Sequence, residues 1–273
     1  MCLNIPIIYI HIGWSDYLQY SIQQARRRNP MSRIILLGTE ENDRFDHIEH
    51  YNIKEYFHSA KEFEKIYQHM STNNIHFEKF CFSRWFILNE FVKFHNIYRF
   101  FTTDSDTLLF CDVNEEAEKF KNFRYTTTNR ISAGITFIMD LTVLNEWCQL
   151  TTNIYSKKDK FNFNKCFYHF KNLQENGRAG GANDMTIWDI FSNDGYNNPG
   201  MVGETSTIFS DDTTFDHNIN QSDFFEMENG IKKIKWFNKN PYGYNQILKR
   251  DIRFLMLHFQ GGAKSFMKEY ANG

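Results

Sequence analysis

Two acidic residues one position apart, Asp104-Ser105-Asp106, follow directly on the apolar run 97–102 and Thr103. Carboxylates so spaced at a strand end can hold a hard divalent cation and leave other coordination positions to a substrate, for instance to diphosphate oxygens. A cation there would stabilise the charge that develops on a departing diphosphate. Alone the pattern is weak, because Asp-x-Asp is common in surface turns. A second signal far along the chain strengthens it. His258 closes another apolar run and is followed by Gly261, Gly262 and Lys264. Imidazole completes a coordination sphere suited to manganese, glycines let a backbone approach a phosphate, and an ammonium group can neutralise a leaving diphosphate.

Composition narrows the alternatives. The chain has 273 residues, with 31 basic and 33 acidic side chains and a formal charge of -2, so it lacks the broad positive field of a nucleic-acid binder. Nucleic acid is not expected as a partner. The 28 Phe and 14 Tyr extend into polar stretches such as Phe161-Asn162-Phe163-Asn164 and Trp236-Phe237-Asn238, so some rings must lie near water. The five cysteines, Cys2, Cys81, Cys111, Cys148 and Cys166, are odd in number and widely spaced, with no C-x-x-C pair. That argues against a disulfide framework or a zinc knuckle and predicts a reducing, cytoplasmic compartment. The apolar run 5–12 is too short to span a bilayer and reads as a buried strand; no transmembrane segment is expected.

The elements that must position the chemistry follow from periodicity. Runs 5–12 and 34–37 flank a helical pattern over 17–28 that Asn29-Pro30 breaks, which makes a β-α-β unit with a parallel sheet and a ligand site beyond its carboxyl ends. Arg26-Arg27-Arg28 suits the end of that helix. Ser59-Ala60-Lys61-Glu62 resembles a capping box opening a helix toward Met70. Cys81, Trp85, Leu88 and Val92 form one buried helical stripe with Arg84 beside it. Residues 131–139 read as a strand, 142–152 as a helix, and 156–177 as an insertion or lid. A further helix starts after Asn183, 194–229 is largely turn-forming and unassigned, and 254–259 is a last strand. His47-Ile48-Glu49-His50 reads as a solvated helix face, since its spacing lacks a third ligand.

The segment His258-Phe259-Gln260-Gly261-Gly262-Ala263-Lys264-Ser265-Phe266 resembles the C-terminal H-F-x-G-x-x-K-P-W motif of glycosyltransferase family 8, departing only at its last two positions. In the same order, residues 102–110 resemble the family's strand ending in D-x-D, Ile131-Ser132-Ala133-Gly134-Ile135 its N-A-G-V strand, and Asn183-Asp184-Met185-Thr186 its N-D-Q-D segment. The resemblance implies a single α/β domain of GT-A type, with a Rossmann-like mixed sheet flanked by helices. Residues 1–112 would form a nucleotide-binding half and 113–273 an acceptor half. It further implies Mn²⁺ or Mg²⁺ held by Asp104, Asp106 and His258, and a nucleotide-sugar, in the first instance a UDP-sugar. That donor would be met by His11, Ile12, Gly13, Arg84, Ser105, Gly261 and Lys264. Ser132, Gly134, Asn183 and Asp184 would lie near the donor sugar and acceptor, with Asp184 the candidate catalytic residue. Ser132, Met185 and Thr186 stand where the family carries asparagine, glutamine and a second acid, so neither the sugar nor the stereochemical course follows. The acceptor, whether glycan, lipid, protein or small molecule, is equally open.

Two other readings compete. A haloacid dehalogenase-type phosphatase would pair Asp104 and Asp106 with the later Asp211-Asp212, but its D-x-D-G-T signature calls for glycine and threonine where this chain has Thr107 and Leu108. A non-catalytic nucleotide-sugar or glycan-binding module would keep the ligands without turnover.

Overall fold

The two apolar runs of the first β-α-β unit owe their continuity to burial on both faces. In the computed structural model, which describes residues 4–193 and 199–271, β1 (Ile7–His11) and β2 (Ile34–Gly38) pair in parallel across α1 (Asp16–Arg28). Pleating sends Ile8, Ile35 and Leu37 to one side of the sheet and Ile7, Tyr9, Ile34 and Leu36 to the other, each set joining its own buried cluster. The helix stops where Asn29-Pro30 predicts. Arg26 then turns its Nη1 onto the carbonyls of Asn29, Pro30 and Ser32 just beyond that end.

β3 (Glu49–Asn52), α2 (His58–Glu64) and α3 (Ile75–Phe94) lead to β4 (Phe100–Thr103), which pairs in parallel with β1. The chain then passes through Asp104, Ser105 and Asp106 into β5 (Thr107–Leu109), a strand of a second sheet. α4 (Val113–Ala117), β6 (Tyr125–Thr127), β7 (Ile135–Ile138), α5 (Thr142–Tyr155), α6 (Lys160–Glu175), α7 (Asp184–Asn193) and β8 (Val202–Glu204) complete the first sheet and its cover. Its order is β3-β2-β1-β4-β7-β6-β8, with β7 antiparallel to both neighbours. One face packs on α2, α3, α5 and α7, the other on α1 and α4. This is the expected mixed sheet flanked by helices, and it takes strands from both sides of residue 112.

β9 (Thr213–Phe215) is followed by a small hairpin of β10 (Met227–Glu228) and β11 (Ile231–Lys232), then by β12 (Lys235–Phe237), β13 (Asn240–Asn245) and β14 (Arg250–His258). The second sheet runs β12-β13-β14-β5 with β9 beside β14, and α8 (Met267–Tyr270) ends the described chain. The acidic motif is therefore the joint between the two sheets.

Several local expectations need correction. Ser59 lies inside α2 and caps nothing; its N–H and Oγ both bond Glu90 Oε2 on α3, at 3.0 and 2.8 Å. α2 stops at Glu64, and the chain at 70–72 instead lies against 180–182, with Ala182 N donating to the Met70 carbonyl at 2.8 Å. That approach needs Gly181, where a Cβ would sit 2.1 Å from the Met70 oxygen. His47 is a left-handed turn residue and Glu49 begins β3, so 47–50 is no helix face; Arg33 grips Glu49 at 2.7 Å. The strand read over 131–139 is only Ile135–Ile138, because Asn129 and Arg130 turn the chain and Ser132 closes that turn on Thr128. The 156–177 stretch is not an open lid but mostly helix α6, which buries Phe163 and Cys166 in the core. The final strand is longer than 254–259, beginning at Arg250 and ending at His258. Cys81, Cys111, Cys148 and Cys166 are free thiols, and Cys2 lies outside the described residues. Among the described residues no helix is long and apolar enough to cross a membrane.

Candidate metal and diphosphate site

Strand pairing brings the two sequence signals together. β14 runs antiparallel to β5 with His258 opposite Thr107, and Phe259 N donates to the Asp106 carbonyl at 2.9 Å. His258 Nε2 consequently lies 3.2 Å from Asp106 Oδ1 and 3.9 Å from Asp104 Oδ2, and one ligand atom from each of the three residues falls within 4.8 Å of the others. Among the described residues no other group of His, Cys, Asp and Glu side chains meets in this way. Lys264, on the turn that follows β14, places Nζ 3.2 Å from Asp106 Oδ2 and over the Tyr17 ring.

The imidazole is set for ligation. Its Nδ1 lies 2.9 Å from the His217 carbonyl, which can only accept, so Nδ1 carries a proton and Nε2 faces the carboxylates. Burial opposes charge on this ring, but Asp106 and Asp104 outweigh it and raise the His258 pKa to about 9. Burial likewise works against ionising Asp106, yet His258 and Lys264 bring its pKa down to about 2. The proton on Nε2 thus occupies the lone pair that a cation would take, and the three side chains could together hold a metal ion.

Asp104 is anchored from the other side. Its N–H donates to the Gly134 carbonyl at 2.8 Å, and its Oδ1 accepts from Arg84 Nη1 at 2.5 Å. Arg84 reaches through Nη2 to Asp184 Oδ2 at 2.8 Å, and the Trp85 indole donates to the same oxygen at 3.0 Å. Burial works against the charge on Arg84, but Asp104 and Asp184 together hold its pKa above the usual value. Gly134 is required by this packing, since a Cβ there would lie 2.8 Å from Asp104 Oδ2 and 3.3 Å from Ser132 Oγ. Gly134→Ala should displace the Asp104 carboxylate and weaken Mn²⁺ affinity by about tenfold or more, the scale of outer-shell lesions at metal sites. A Mn²⁺ titration followed by electron paramagnetic resonance reads this directly, and unchanged affinity would remove Gly134 from the argument.

His11, Ile12 and Gly13, predicted to meet the nucleotide, lie at and just beyond the carboxyl end of β1. His11 Nδ1 lies 2.8 Å from Ser105 Oγ, and burial pushes the His11 pKa down to about 4, so the ring is neutral at neutral pH. Gly13 adopts a φ of 72° and is braced by Asn42, whose Nδ2 donates to its carbonyl at 2.7 Å, and by Thr39. The Ile12 side chain is exposed. Gly261, at φ 57°, and Gly262 both face open space where a side chain would point. Asn183 caps α7, its Oδ1 accepting from Thr186 N and Oγ1. Ser132 Oγ accepts from Gly134 N at 3.1 Å. Asp211 and Asp212, which the phosphatase reading would bring to Asp104, are instead paired with Lys119 and Arg250.

Sequence reasoning missed the support behind His258. Asp216 Oδ2 accepts from His258 N at 3.1 Å, His217 supplies the carbonyl for Nδ1, and Ile219 N donates to the His258 carbonyl at 2.9 Å. Lys232 fixes this clamp by bonding Asp216 Oδ1, the Asn218 carbonyl and Asp223 at 2.6 to 2.9 Å. Nothing in the spacing marks Lys232, because lysine is seldom buried. Trp14, next to Gly13, was not singled out in the sequence; it stacks on Phe45, with the Arg44 guanidinium 4.3 Å above its ring.

No family model matches the sequence, and no curated protein does. Solved structures match in shape. The galactosyltransferase LgtC, determined with donor and acceptor sugar analogs, gives a TM-score of 0.52 at 13% identity over 98% of this chain and 95% of that one. The fold is GT-A. Mouse xyloside xylosyltransferase 1, in its apo form, gives 0.50 at 8% identity over 79% of this chain and 88% of its own. At such identities the likeness is one of GT-A architecture alone, and within it the joint between the sheets is where Asp104, Asp106 and His258 meet.

Proposed function

We propose that the chain is a divalent-metal-dependent glycosyltransferase that moves a sugar from a nucleotide-sugar, in the first instance a UDP-sugar, to a hydroxyl of a glycan, lipid, protein or small-molecule acceptor. The observation that carries this reading is the meeting of Asp104, Asp106, His258 and Lys264 at the joint between the sheets of a GT-A fold. Asp104, Asp106 and His258 would hold Mn²⁺ or Mg²⁺, which when bound draws off charge from the donor's diphosphate. Lys264 would neutralise the leaving diphosphate, and the glycines Gly261 and Gly262 before it would let the backbone approach that group. His11, Ile12, Gly13, Arg84 and Ser105 would receive the nucleotide and its diphosphate, with Ser132, Gly134 and Asn183 toward the sugar and acceptor. Asp184 was the candidate catalytic residue, and its Oδ2 is engaged by Arg84 and Trp85 while Oδ1 accepts from Met185 N. We assign it the task of holding Arg84 against Asp104; a direct role in bond making would require it to give up those partners.

A screen of nucleotide sugars for Mn²⁺-dependent hydrolysis tests the reading without knowledge of the acceptor. One donor should be cleaved, and EDTA should stop the reaction. Lys264→Ala should lower kcat for that donor by about 10²-fold, because its contact strengthens as diphosphate charge appears. An unchanged rate would take Lys264 out of the site. Phosphate release from phosphomonoesters with every nucleotide sugar inert would transfer the case to a phosphatase, and donor binding with no turnover to a binding module.

A further inference from the structure

Helix α6 carries an exposed face with none of the residues of the candidate metal and diphosphate site. Its inner face packs on the core through Asn162, Phe163 and Cys166. At about 100° per residue, Phe161 and Tyr168 project opposite to that face, and they are 77% and 65% exposed. Lys160 and Lys171 flank this aromatic ridge on one side and Lys165 on the other, while Lys157 and Lys158 precede the helix. Over residues 157–178 there are six Lys and Arg against two acidic residues, in a chain whose formal charge is -2, so the remainder of the molecule is acidic. One of those two acids, Asp159, is spent on capping the helix through Asn162.

A single exposed ring is ordinary. Two rings on the outward crest of one helix, bordered by lysines on both sides, are the arrangement of a helix lying in the plane of a headgroup layer. Rings enter the acyl boundary there while ammonium groups meet phosphates. Lys171 and Lys157 hold their ammonium groups over the rings of Phe167 and Phe163, with Nζ 5.3 and 4.8 Å from the ring centres. Charge complementarity selects the occupant: an anionic surface matches the lysines, and a lipid one matches the rings. We propose that α6 docks the protein on anionic membrane lipid, with Phe161 and Tyr168 seated in the interface. No described helix is long and apolar enough to cross a membrane, and the docking is attachment along the surface.

Cosedimentation of the full chain with vesicles tests this independently of any catalytic assignment. The protein should bind mixed phosphatidylcholine and phosphatidylglycerol vesicles, ignore pure phosphatidylcholine, and bind less as salt rises. Each lysine near an anionic surface strengthens partitioning about fivefold, so Lys160→Glu with Lys171→Glu should weaken it at least about 25-fold. Phe161→Ser with Tyr168→Ser should remove the binding that survives high salt. All four side chains are exposed, and unchanged thermal unfolding of both double variants confirms that folding is not the cause. Absence of binding to anionic vesicles, or undiminished binding in either double variant, overturns the proposal. So does retention by an acidic polypeptide without retention by vesicles, which would assign the face to an acidic protein.

Discussion

Asp106→Ala and His258→Ala should each lower metal-dependent turnover by about 10³-fold or more, the equivalent of several kcal/mol of charge stabilisation, while the protein stays folded. The loss is large because the three ligands come from one joint and one strand end, and nothing adjacent can substitute. Asp104 already gives one oxygen to Arg84. Lys264 is a cation. The fold survives because the partners left behind can relax. Without Asp106, burial favours a neutral His258, whose charge Asp106 was holding in place, and the half-buried Lys264 can turn toward water. Without His258, the His217 carbonyl loses one donor, a cost of about 1 kcal/mol. Turnover measured with added Mn²⁺ and with EDTA should coincide in both variants, whereas the unaltered chain should differ between the two conditions by the full factor. Full activity in either variant with EDTA present would refute both assignments.

The parts of this architecture that were legible in sequence are those written in local pattern. The β1-α1-β2 unit announces itself because both faces of its strands are covered and the apolar runs are unbroken. Asp104 and Asp106 stand out because polar residues end a buried strand, and His258 for the same reason on β14. Boundaries failed where tertiary contact overrode local preference. Ser59 has the chemistry of a cap, but Glu90 on α3 claimed its hydroxyl. Residues 156–177 are polar enough to read as a lid, yet Phe163 and Cys166, with the partly buried Phe167 and Phe170, seat α6 on the core. The clamp on His258 was invisible for a different reason. Asp216 follows β9 among turn formers and Lys232 ends the two-residue hairpin strand β11 beside Lys233, and an acid and a base in such surroundings read as surface until a fold buries them together.

That buried pair yields the second large effect, on stability. Lys232→Met should destabilise the protein by about 3–5 kcal/mol, because the Lys232 and Asp216 side chains are 1% and 0% exposed and the change strands a carboxylate in the core. For a chain of this size the midpoint of thermal unfolding should fall by roughly 10 °C. Asp223, 44% exposed, can recover solvent, but Asp216 cannot, and the His258 N–H becomes its main remaining donor. Adding Asp216→Asn removes the stranded charge while keeping an oxygen that can accept from His258 N. The double variant should therefore be more stable than Lys232→Met alone, a departure from additivity expected of groups in contact. Denaturant unfolding of the three variants measures the cycle. A Lys232→Met protein within about 0.5 kcal/mol of the original would mean that the pair contributes nothing. A double variant no better than the single would mean that the stranded carboxylate is not the source of the loss. Because the same clamp aims Nε2 of His258, the destabilised single variant should also bind Mn²⁺ less tightly, and the double variant should recover part of that affinity with its stability.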